Sequence, residues 1–287
     1  MEMQHANTDT FDLVGKIGSM ALIQQDSSDV NYNMFARLGA QLKPGMIWVS
    51  SGATEIGRID YIKRTGRALN GPEDDDKTDY AAQGQAVLMQ NYRQFINPAY
   101  GVRQVLVEHT HFNDPEKREH LRRLFIRSAQ QGAVPIVNYN DPVSEQENRK
   151  MELTRLRTDG TAASSVVECV DNDETAAVIA GLVRARVLLI LTSTEGIYAD
   201  PHDPGSLIRH IGGRSPEQLI ENISRVQQRC VGASRQGAQG ARAKLEYMKK
   251  PASTGTVVVI GNGRHSLADL VNDAVPCTRI GLDGSRV

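Results

Sequence analysis

The fold is decided by the apolar stretch Val187–Thr192 (VLLILT), which runs directly into the small and polar residues Ser193–Gly196 (STEG). Similar apolar runs, bounded by Gly, Pro or Asn, recur along the chain and alternate with amphipathic stretches. This alternation is typical of strands and helices that build a largely parallel sheet, so we predict an α/β fold. The predicted strands are Leu13–Ile17, Met46–Ser50, Val102–Val107, Val134–Val137, Val187–Thr192 and Thr256–Ile260.

The stretches between these strands predict helices and two long loops. The predicted helices are Asp79–Ile96, Asp114–Gln131 and Asp173–Val183. A further helix is expected to start at Ser215–Gln218, which combines a capping box with proline at the first helical position. The long loops are Arg58–Lys77 and Ser144–Val170, and we interpret the acidic run Glu73–Asp76 as the solvated tip of the first.

Length, composition and charge exclude several classes of protein. The chain has 287 residues, of which 40% are hydrophobic and 23% charged, and these values exclude disordered and collagen-like proteins. Its 33 Lys and Arg residues are balanced by 34 Asp and Glu residues. No basic surplus remains for a nucleic acid or an anionic membrane, so we expect neither as a partner.

The cysteines and the N-terminus predict a cytoplasmic location. Cys169, Cys230 and Cys277 are far apart in sequence, which argues against a disulfide framework and a cysteine zinc site. The first ten residues have no targeting pattern, and no apolar run approaches the roughly 18 residues of a membrane span.

Small and polar residues follow several predicted strands, at the sheet edge where open α/β proteins bind ligands. Lys16 with Gly18 and Ser19 is a candidate phosphate site, although a plain loop is the alternative. Ser51 and Gly52 form a second such turn.

Three further segments carry polar groups or glycines. Asn138–Pro142 can hydrogen-bond a polar substrate, or it can form an Asx-turn. Asp171–Asp173 precedes a helix, where capping explains only one of its residues. The glycine-rich stretch Gly237–Lys244 leads into a helix that carries a lysine, which is one pattern for a nucleotide cradle.

Seven motifs in this order resemble the amino-acid kinase family, in its glutamate 5-kinase branch. They are GKIGS (15–19), VSSGA (49–53), AAQGQAVLMQNY (81–92), VPIVNYNDPV (134–143), DNDETAAVIAGLV (171–183), LLILTSTEGIYADP (188–201) and GAQGARAKL (237–245). The resemblance implies an α/β/α sandwich with a mainly parallel central sheet. It also implies ATP-dependent phosphorylation of a small carboxylate, glutamate first, with Mg²⁺ brought by the ATP and no dedicated metal site.

The resemblance and the strand-end turns together assign roles to residues. Lys16 and Lys244 are expected to be catalytic, steadying the transferred phosphoryl group and the departing ADP oxygen, and Asp173 is expected to orient them. The expected acceptor-binding residues are Ser51, Gly52, Asp141, Asp171 and Asn172. The expected ATP-binding residues are Lys16, Gly18, Ser19, Thr192, Ser193, Gly196, Tyr198, Asp200, Pro201, Gly237, Gly240 and Lys244.

The resemblance also predicts the organisation of the chain. We expect a single kinase domain over residues 1–287, with residues 11–170 binding the acceptor and residues 171–287 binding ATP. The PUA domain that follows many glutamate 5-kinases is expected to be absent. The stretch Ala81–Ile96 mixes apolar residues with glutamines and an asparagine, which favours a semi-polar contact in a homo-oligomer. Its polar residues are Gln83, Gln85, Gln90 and Asn91.

The sequence departs from the family pattern in its phosphate loops. The family's Thr-Asp pair after the fifth strand is Thr192-Ser193 here, Gln239 replaces a glycine, and Ala241 replaces the usual methionine. A nucleotide-binding regulator without turnover is therefore an alternative function.

An insertion at Glu145–Val170 lies between two acceptor motifs, which makes a kinase of another small acid or phosphorylated metabolite a further alternative. It is either a solvated helix laced by charge pairs or a lid that presents arginines to the acceptor. Its cations are Arg149, Lys150, Arg155 and Arg157. His109 and His111 have the spacing of metal ligands but no third partner in the sequence, so we expect no metal site there.

Overall fold

The structure is a computed structural model that describes residues 11–24, 26–144, 146–158, 166–169, 171–200, 202–230 and 240–285. The strands in these ranges are β1 (Leu13–Ile17), β2 (Ile23–Gln24), β3 (Asp29–Val30), β4 (Met46–Ser50), β5 (Gly101–Val107), β6 (Ala133–Tyr139), β7 (Val187–Thr192), β8 (His210–Ile211), β9 (Val257–Asn262) and β10 (Cys277–Ile280). The helices are α1 (Tyr32–Gly39), α2 (Ala53–Thr65), α3 (Glu73–Phe95), α4 (Thr110–Asn113), α5 (Pro115–Gln130), α6 (Gln146–Thr158), α7 (Asn172–Leu182), α8 (Pro216–Arg229), α9 (Gly240–Ser253) and α10 (Leu267–Val271).

The chain divides into two compact units. The first unit comprises Met1–Ile17, Gly45–Val49 and Asp173–Val287, and the second comprises Gly18–Pro44 and Ser50–Asn172. The early strand β1 belongs to the first unit because it pairs in parallel with β7.

The first unit is built on a mainly parallel sheet with the strand order β4, β1, β7, β9, β10, β8. Strand β7 pairs in parallel with β1 and β9, and β10 pairs antiparallel with β9. The register places Lys16 opposite Ile190, and Thr192 opposite Asn262. The carboxyl ends of β1, β7 and β9 therefore lie at the same edge. Trp48 of β4 is fully buried.

The second unit contains the parallel pair β5 and β6 and the long helix α3. Every residue of β6 is buried. Helices α2 and α3 approach closely at two glycines: a Cβ on Gly84 would lie 1.8 Å from the Ala53 carbonyl oxygen, and one on Gly57 would lie 1.8 Å from the Tyr80 carbonyl oxygen. Backbone contact at these positions leaves no room for a side chain.

The predicted α/β class with mainly parallel strands is confirmed, and all six predicted strands are present. The predicted helix α5 begins after Asp114, whose side chain accepts hydrogen bonds from the Glu116 and Lys117 N–H groups. The predicted cap of α8 also forms, because Ser215 Oγ accepts from the Gln218 N–H over 3.3 Å.

The prediction of a long loop at Arg58–Lys77 is wrong. Helix α2 continues to Thr65, and α3 begins at Glu73. The acidic run Glu73–Asp76 is the first turn of α3, where negative side chains are stabilised by the partial positive charge of a helix N-terminus. The sequence does not distinguish the two cases, because a run of acidic residues occurs both at helix starts and in solvated loops.

Among the described residues, every helix is too short or too polar to span a membrane.

Candidate active site

Three charged side chains meet in the first unit. Lys16 lies near the end of β1, Asp173 in the first turn of α7 and Lys244 in the first two turns of α9. Lys16 Nζ lies 2.7 Å from Asp173 Oδ1, and Lys244 Nζ contacts Asp173 Oδ2. All three side chains are at most 17% exposed. Two ammonium groups held by one carboxylate leave a net positive charge, which suits a phosphate anion.

The two lysines keep Asp173 ionised. Burial by itself raises the pKa of this carboxyl, but the charges of Lys16 and Lys244 and their hydrogen bonds outweigh burial, so the pKa of Asp173 lies below its ordinary value. The site therefore holds a permanent anion between two cations near neutral pH.

We expect this arrangement to make the protein sensitive to acid. The pKa of Asp173 is lower in the folded chain than its ordinary value of 3.8, so the stability it contributes is present above pH 3.8 and lost as the pH falls through the folded pKa. Urea unfolding of the wild type and of Asp173→Asn, from about pH 6 to about pH 3, measures the effect. The wild type should lose more stability than the variant; equal losses would contradict the assignment.

The predicted nucleotide-binding residues of the first unit form ordered turns. Thr192 Oγ1 donates to the Thr194 carbonyl over 2.7 Å, and the Ser193 carbonyl accepts from Asn262 Nδ2 over 3.0 Å. Gly196 is buried, and a Cβ there would lie 2.4 Å from Thr278 Oγ1.

The remaining nucleotide positions are more dispersed. Tyr198 forms an isolated antiparallel β-bridge with Leu207, and Asp200 Oδ1 accepts a hydrogen bond from the His202 N–H over 2.9 Å. Gly240 begins α9 with φ +61°, while Pro201 and Gly237 lie outside the described residues. In the second unit, Gly18 precedes a short 3-10 helix that starts at Ser19.

A cluster that the sequence did not predict lies where β7 and β9 end. Glu195 Oε2 lies 2.7 Å from His265 Nε2, and Glu195 Oε1 lies 2.5 Å from the Arg264 guanidinium. Asn262, at the end of β9, reaches both Glu195 and the Ser193 carbonyl. The cluster fixes the turn after β7. No local pattern in the sequence reveals it, because Glu195 and His265 are 70 positions apart.

The predicted acceptor residues of the second unit are only partly brought together. Asn172 Nδ2 donates to Ser51 Oγ over 2.8 Å. Gly52 has φ +106° and opens α2, a conformation that favours glycine. Asp141 is exposed at the start of a 3-10 helix, and Asp171 is half-buried.

Two buried residues that the sequence did not predict for the site are hydrogen-bonded to Asn172 directly or in sequence. Asn138 at the end of β6 accepts from Asn172 Nδ2 and donates to Gln85 Oε1. The sequence predicts that Gln85 contributes to a contact between chains, but Gln85 is 7% exposed, and Asn91 of the same helix is 4% exposed. Both amides are therefore interior groups of this chain, which the helical pattern alone did not reveal.

The insertion is helical and anchored to the rest of the second unit. Helix α6 covers Gln146–Thr158, its Leu153 is buried, and its Glu152 lies 2.9 Å from His109 Nε2. Arg157 pairs with Glu168. Lys150 and Arg155 are exposed, whereas the Arg149 side chain lies outside the described residues.

The two histidines have different contacts: His109 faces Glu152 of the insertion, whereas His111 contacts the backbone of its own turn. His111 Nδ1 accepts from the Glu108 N–H over 3.0 Å. Among the described residues, no three side chains of the His, Cys, Asp or Glu types gather closely enough to hold a metal ion.

Asn113 is expected to hold the end of the insertion. Its Nδ2 donates to the Val167 carbonyl over 2.7 Å and its Oδ1 accepts from the Val167 N–H over 2.9 Å. Asn113→Ala removes both bonds, so the Val167 amide should exchange with deuterium about tenfold faster. Asn97→Ala, at an exposed turn, serves as the control. Unchanged exchange at Val167 would contradict this anchoring role.

Comparisons with known proteins show what the whole chain is similar to. The chain is 30% identical over 224 residues to the glutamate 5-kinase of Shouchella clausii, covering 76% of this chain and 52% of that protein. It is 26% identical to the glutamate 5-kinase of Clostridium perfringens, covering 94% and 95% of the two chains. The chain thus spans about half the length of one relative and nearly all of the other.

Among solved structures, the carbamate kinase of Giardia lamblia bound to AMP-PNP has the same fold. It is 13% identical with a TM-score of 0.58, and the match covers 96% of this chain and all of that chain. Residues 13–262 match the model of the amino acid kinase family. Because this match spans most of the sequence, the chain belongs to the amino acid kinase family.

Proposed function

We propose that this chain is an ATP-dependent kinase of a small carboxylate acceptor, converting L-glutamate to glutamyl 5-phosphate. The observation that carries the proposal is the contact of Lys16 and Lys244 with one buried carboxylate, Asp173. The relatives named glutamate 5-kinase support the choice of acceptor.

The proposed reaction needs positioning and charge stabilisation more than proton transfer. An acceptor carboxylate oxygen attacks the γ-phosphorus of ATP, a new O–P bond forms, and the bond to the ADP oxygen breaks. A carboxylate is already ionised near neutral pH, so no general base is required. Lys16 and Lys244 stabilise the negative charge that spreads over the phosphoryl and leaving oxygens. Asp173 holds both ammonium groups in place.

The remaining predicted residues are assigned to binding. We assign Ser51, Gly52, Asp141, Asp171 and Asn172 to the acceptor. The nucleotide is assigned to Gly18, Ser19, Thr192, Ser193, Gly196, Tyr198, Asp200, Pro201, Gly237 and Gly240, together with the two lysines.

The site residues suit a magnesium ion that arrives with ATP rather than one held by the protein. Asp173 is occupied by two ammonium groups, and no metal-binding cluster lies among the described residues. When bound, Mg²⁺ neutralises charge on the nucleotide phosphates.

We also propose a cytoplasmic homo-oligomer. The three scattered cysteines support the location. Light scattering at micromolar concentration tests the assembly, and the mass of a single chain would contradict it.

An acceptor screen tests the proposed function. Purified protein with ATP and Mg²⁺ is given L-glutamate, carbamate or other small acids, and ADP release is measured. ADP release with L-glutamate is the expected result. Release only with another acid supports a second candidate function, a kinase of another small acid or phosphorylated metabolite. This candidate is favoured by the anchored insertion, which precedes Asp171 in the sequence. No release with any acid would instead support a nucleotide-binding regulator.

A further inference from the structure

A continuous network of side-chain hydrogen bonds crosses the second unit from α3 to the first residue of α7. Asn138 Nδ2 donates to Gln85 Oε1 over 3.0 Å. Asn172 Nδ2 donates to Asn138 Oδ1 over 3.2 Å and to Ser51 Oγ over 2.8 Å. Gln85 and Asn138 are 7% and 2% exposed, so this hydrogen-bond network lies in the interior.

A backbone N–H group determines which atom of each amide in this network donates and which accepts. The Tyr139 N–H can only donate, and it donates to Asn138 Oδ1 over 2.9 Å. The opposite atom of this amide is therefore Nδ2, which must donate, and the atom of Gln85 that it meets must be Oε1. By the same rule, the atom of Asn172 that faces Asn138 Oδ1 must be Nδ2.

With the donors and acceptors fixed in this way, one donor and one acceptor at the two ends of the network have no hydrogen-bond partner among the described residues. Gln85 Nε2 and Asn172 Oδ1 are both buried and have no hydrogen-bond partner among the described residues. A buried polar group without a partner destabilises the free protein, so a ligand that hydrogen-bonds to it binds more tightly. Asn172 Oδ1 can only accept, and it therefore favours a ligand with an N–H donor.

We propose that Gln85 is a positioning residue that sets the acceptor specificity. By accepting from Asn138 it holds that amide in place, and Asn138 in turn keeps Asn172 Oδ1 available to the amino group of the acceptor. This inference rests on the proposed function and deepens it. The acceptor is an amino acid, and a dicarboxylate of the same length without an amino group binds more weakly.

Two acceptors and three variants test the role of Gln85. L-glutamate and glutarate have the same carbon chain and differ in the amino group. Gln85→Met removes the oxygen that Asn138 needs, whereas Gln85→Glu keeps one. Gln90→Met is the matched control, because Gln90 is exposed on the same helix. Steady-state kinetics give kcat and KM for each acceptor and KM for ATP, and thermal unfolding checks the fold.

The wild type is expected to prefer L-glutamate over glutarate in kcat/KM. Gln85→Met should reduce this preference about tenfold by raising the KM for L-glutamate, with the KM for ATP unchanged. Gln85→Glu should restore most of the preference, and Gln90→Met should match the wild type. If Gln85 had a purely structural role, Gln85→Met would lower kcat/KM equally for both acceptors and would not alter the ratio of the two values.

An unchanged ratio of kcat/KM values in folded Gln85→Met overturns the inference, even if L-glutamate is phosphorylated. If the wild type releases no ADP with either acceptor, the proposed function fails, and calorimetric binding of the same two compounds replaces the kinetics. A loss of preference in binding then still supports the positioning role, whereas equal binding or none overturns it. If Gln85→Met does not fold, the smaller Gln85→Ala takes its place.

Discussion

Lys244→Ala is expected to lower kcat by about a hundredfold or more, and Lys16→Ala should do the same. Both ammonium groups contact the buried carboxylate of Asp173. Each lysine supplies positive charge to a transition state in which the phosphoryl and leaving oxygens gain negative charge. Steady-state measurement of ADP release with saturating ATP and acceptor reports the loss.

The fold should survive either lysine substitution. Removal of one lysine leaves the other to pair with Asp173, so no buried charge is left without a partner. Lys250→Ala is the matched control for Lys244→Ala, because Lys250 is exposed in the last turn of the same helix. Near-normal kcat in both Lys16→Ala and Lys244→Ala would refute the proposed mechanism.

Gly84→Ala is expected to destabilise the protein by about 3 kcal/mol, which corresponds to a fall in Tm of roughly 6–12 °C. The added Cβ would lie 1.8 Å from the Ala53 carbonyl oxygen and 2.5 Å from the Gly57 nitrogen. Both atoms belong to the backbone of α2, so no side-chain rotation relieves the clash and the two helices must separate. Differential scanning calorimetry measures the change.

Gly181→Ala is the matched control for this helix substitution. Gly181 lies in α7, and a Cβ there would meet nothing within 4 Å. Alanine is favoured over glycine in a helix by about 1 kcal/mol, so this variant should be neutral or slightly more stable. Equal Tm values for Gly84→Ala and the wild type would show that α2 and α3 are not in backbone contact.

Patterns local in the sequence determined the elements of this fold. The apolar runs located the strands β1, β4 and β7 to the residue, because an uninterrupted apolar segment bounded by turn residues reports burial directly. Asp114 and Ser215 marked helix starts, because a cap acts on N–H groups two or three residues away. The order of the motifs was sufficient to predict the family.

Only the tertiary structure decided which polar groups meet. Lys244 and Asp173 are 71 positions apart, and Asn172 and Ser51 are 121 apart, so no local pattern specifies their contacts. The burial of Gln85 was missed for the same reason: its partner Asn138 lies on β6, 53 positions away. Sequence periodicity reports how each residue sits on its own helix or strand. The pairing of side chains depends instead on how separate elements pack, as at the glycine contact between α2 and α3.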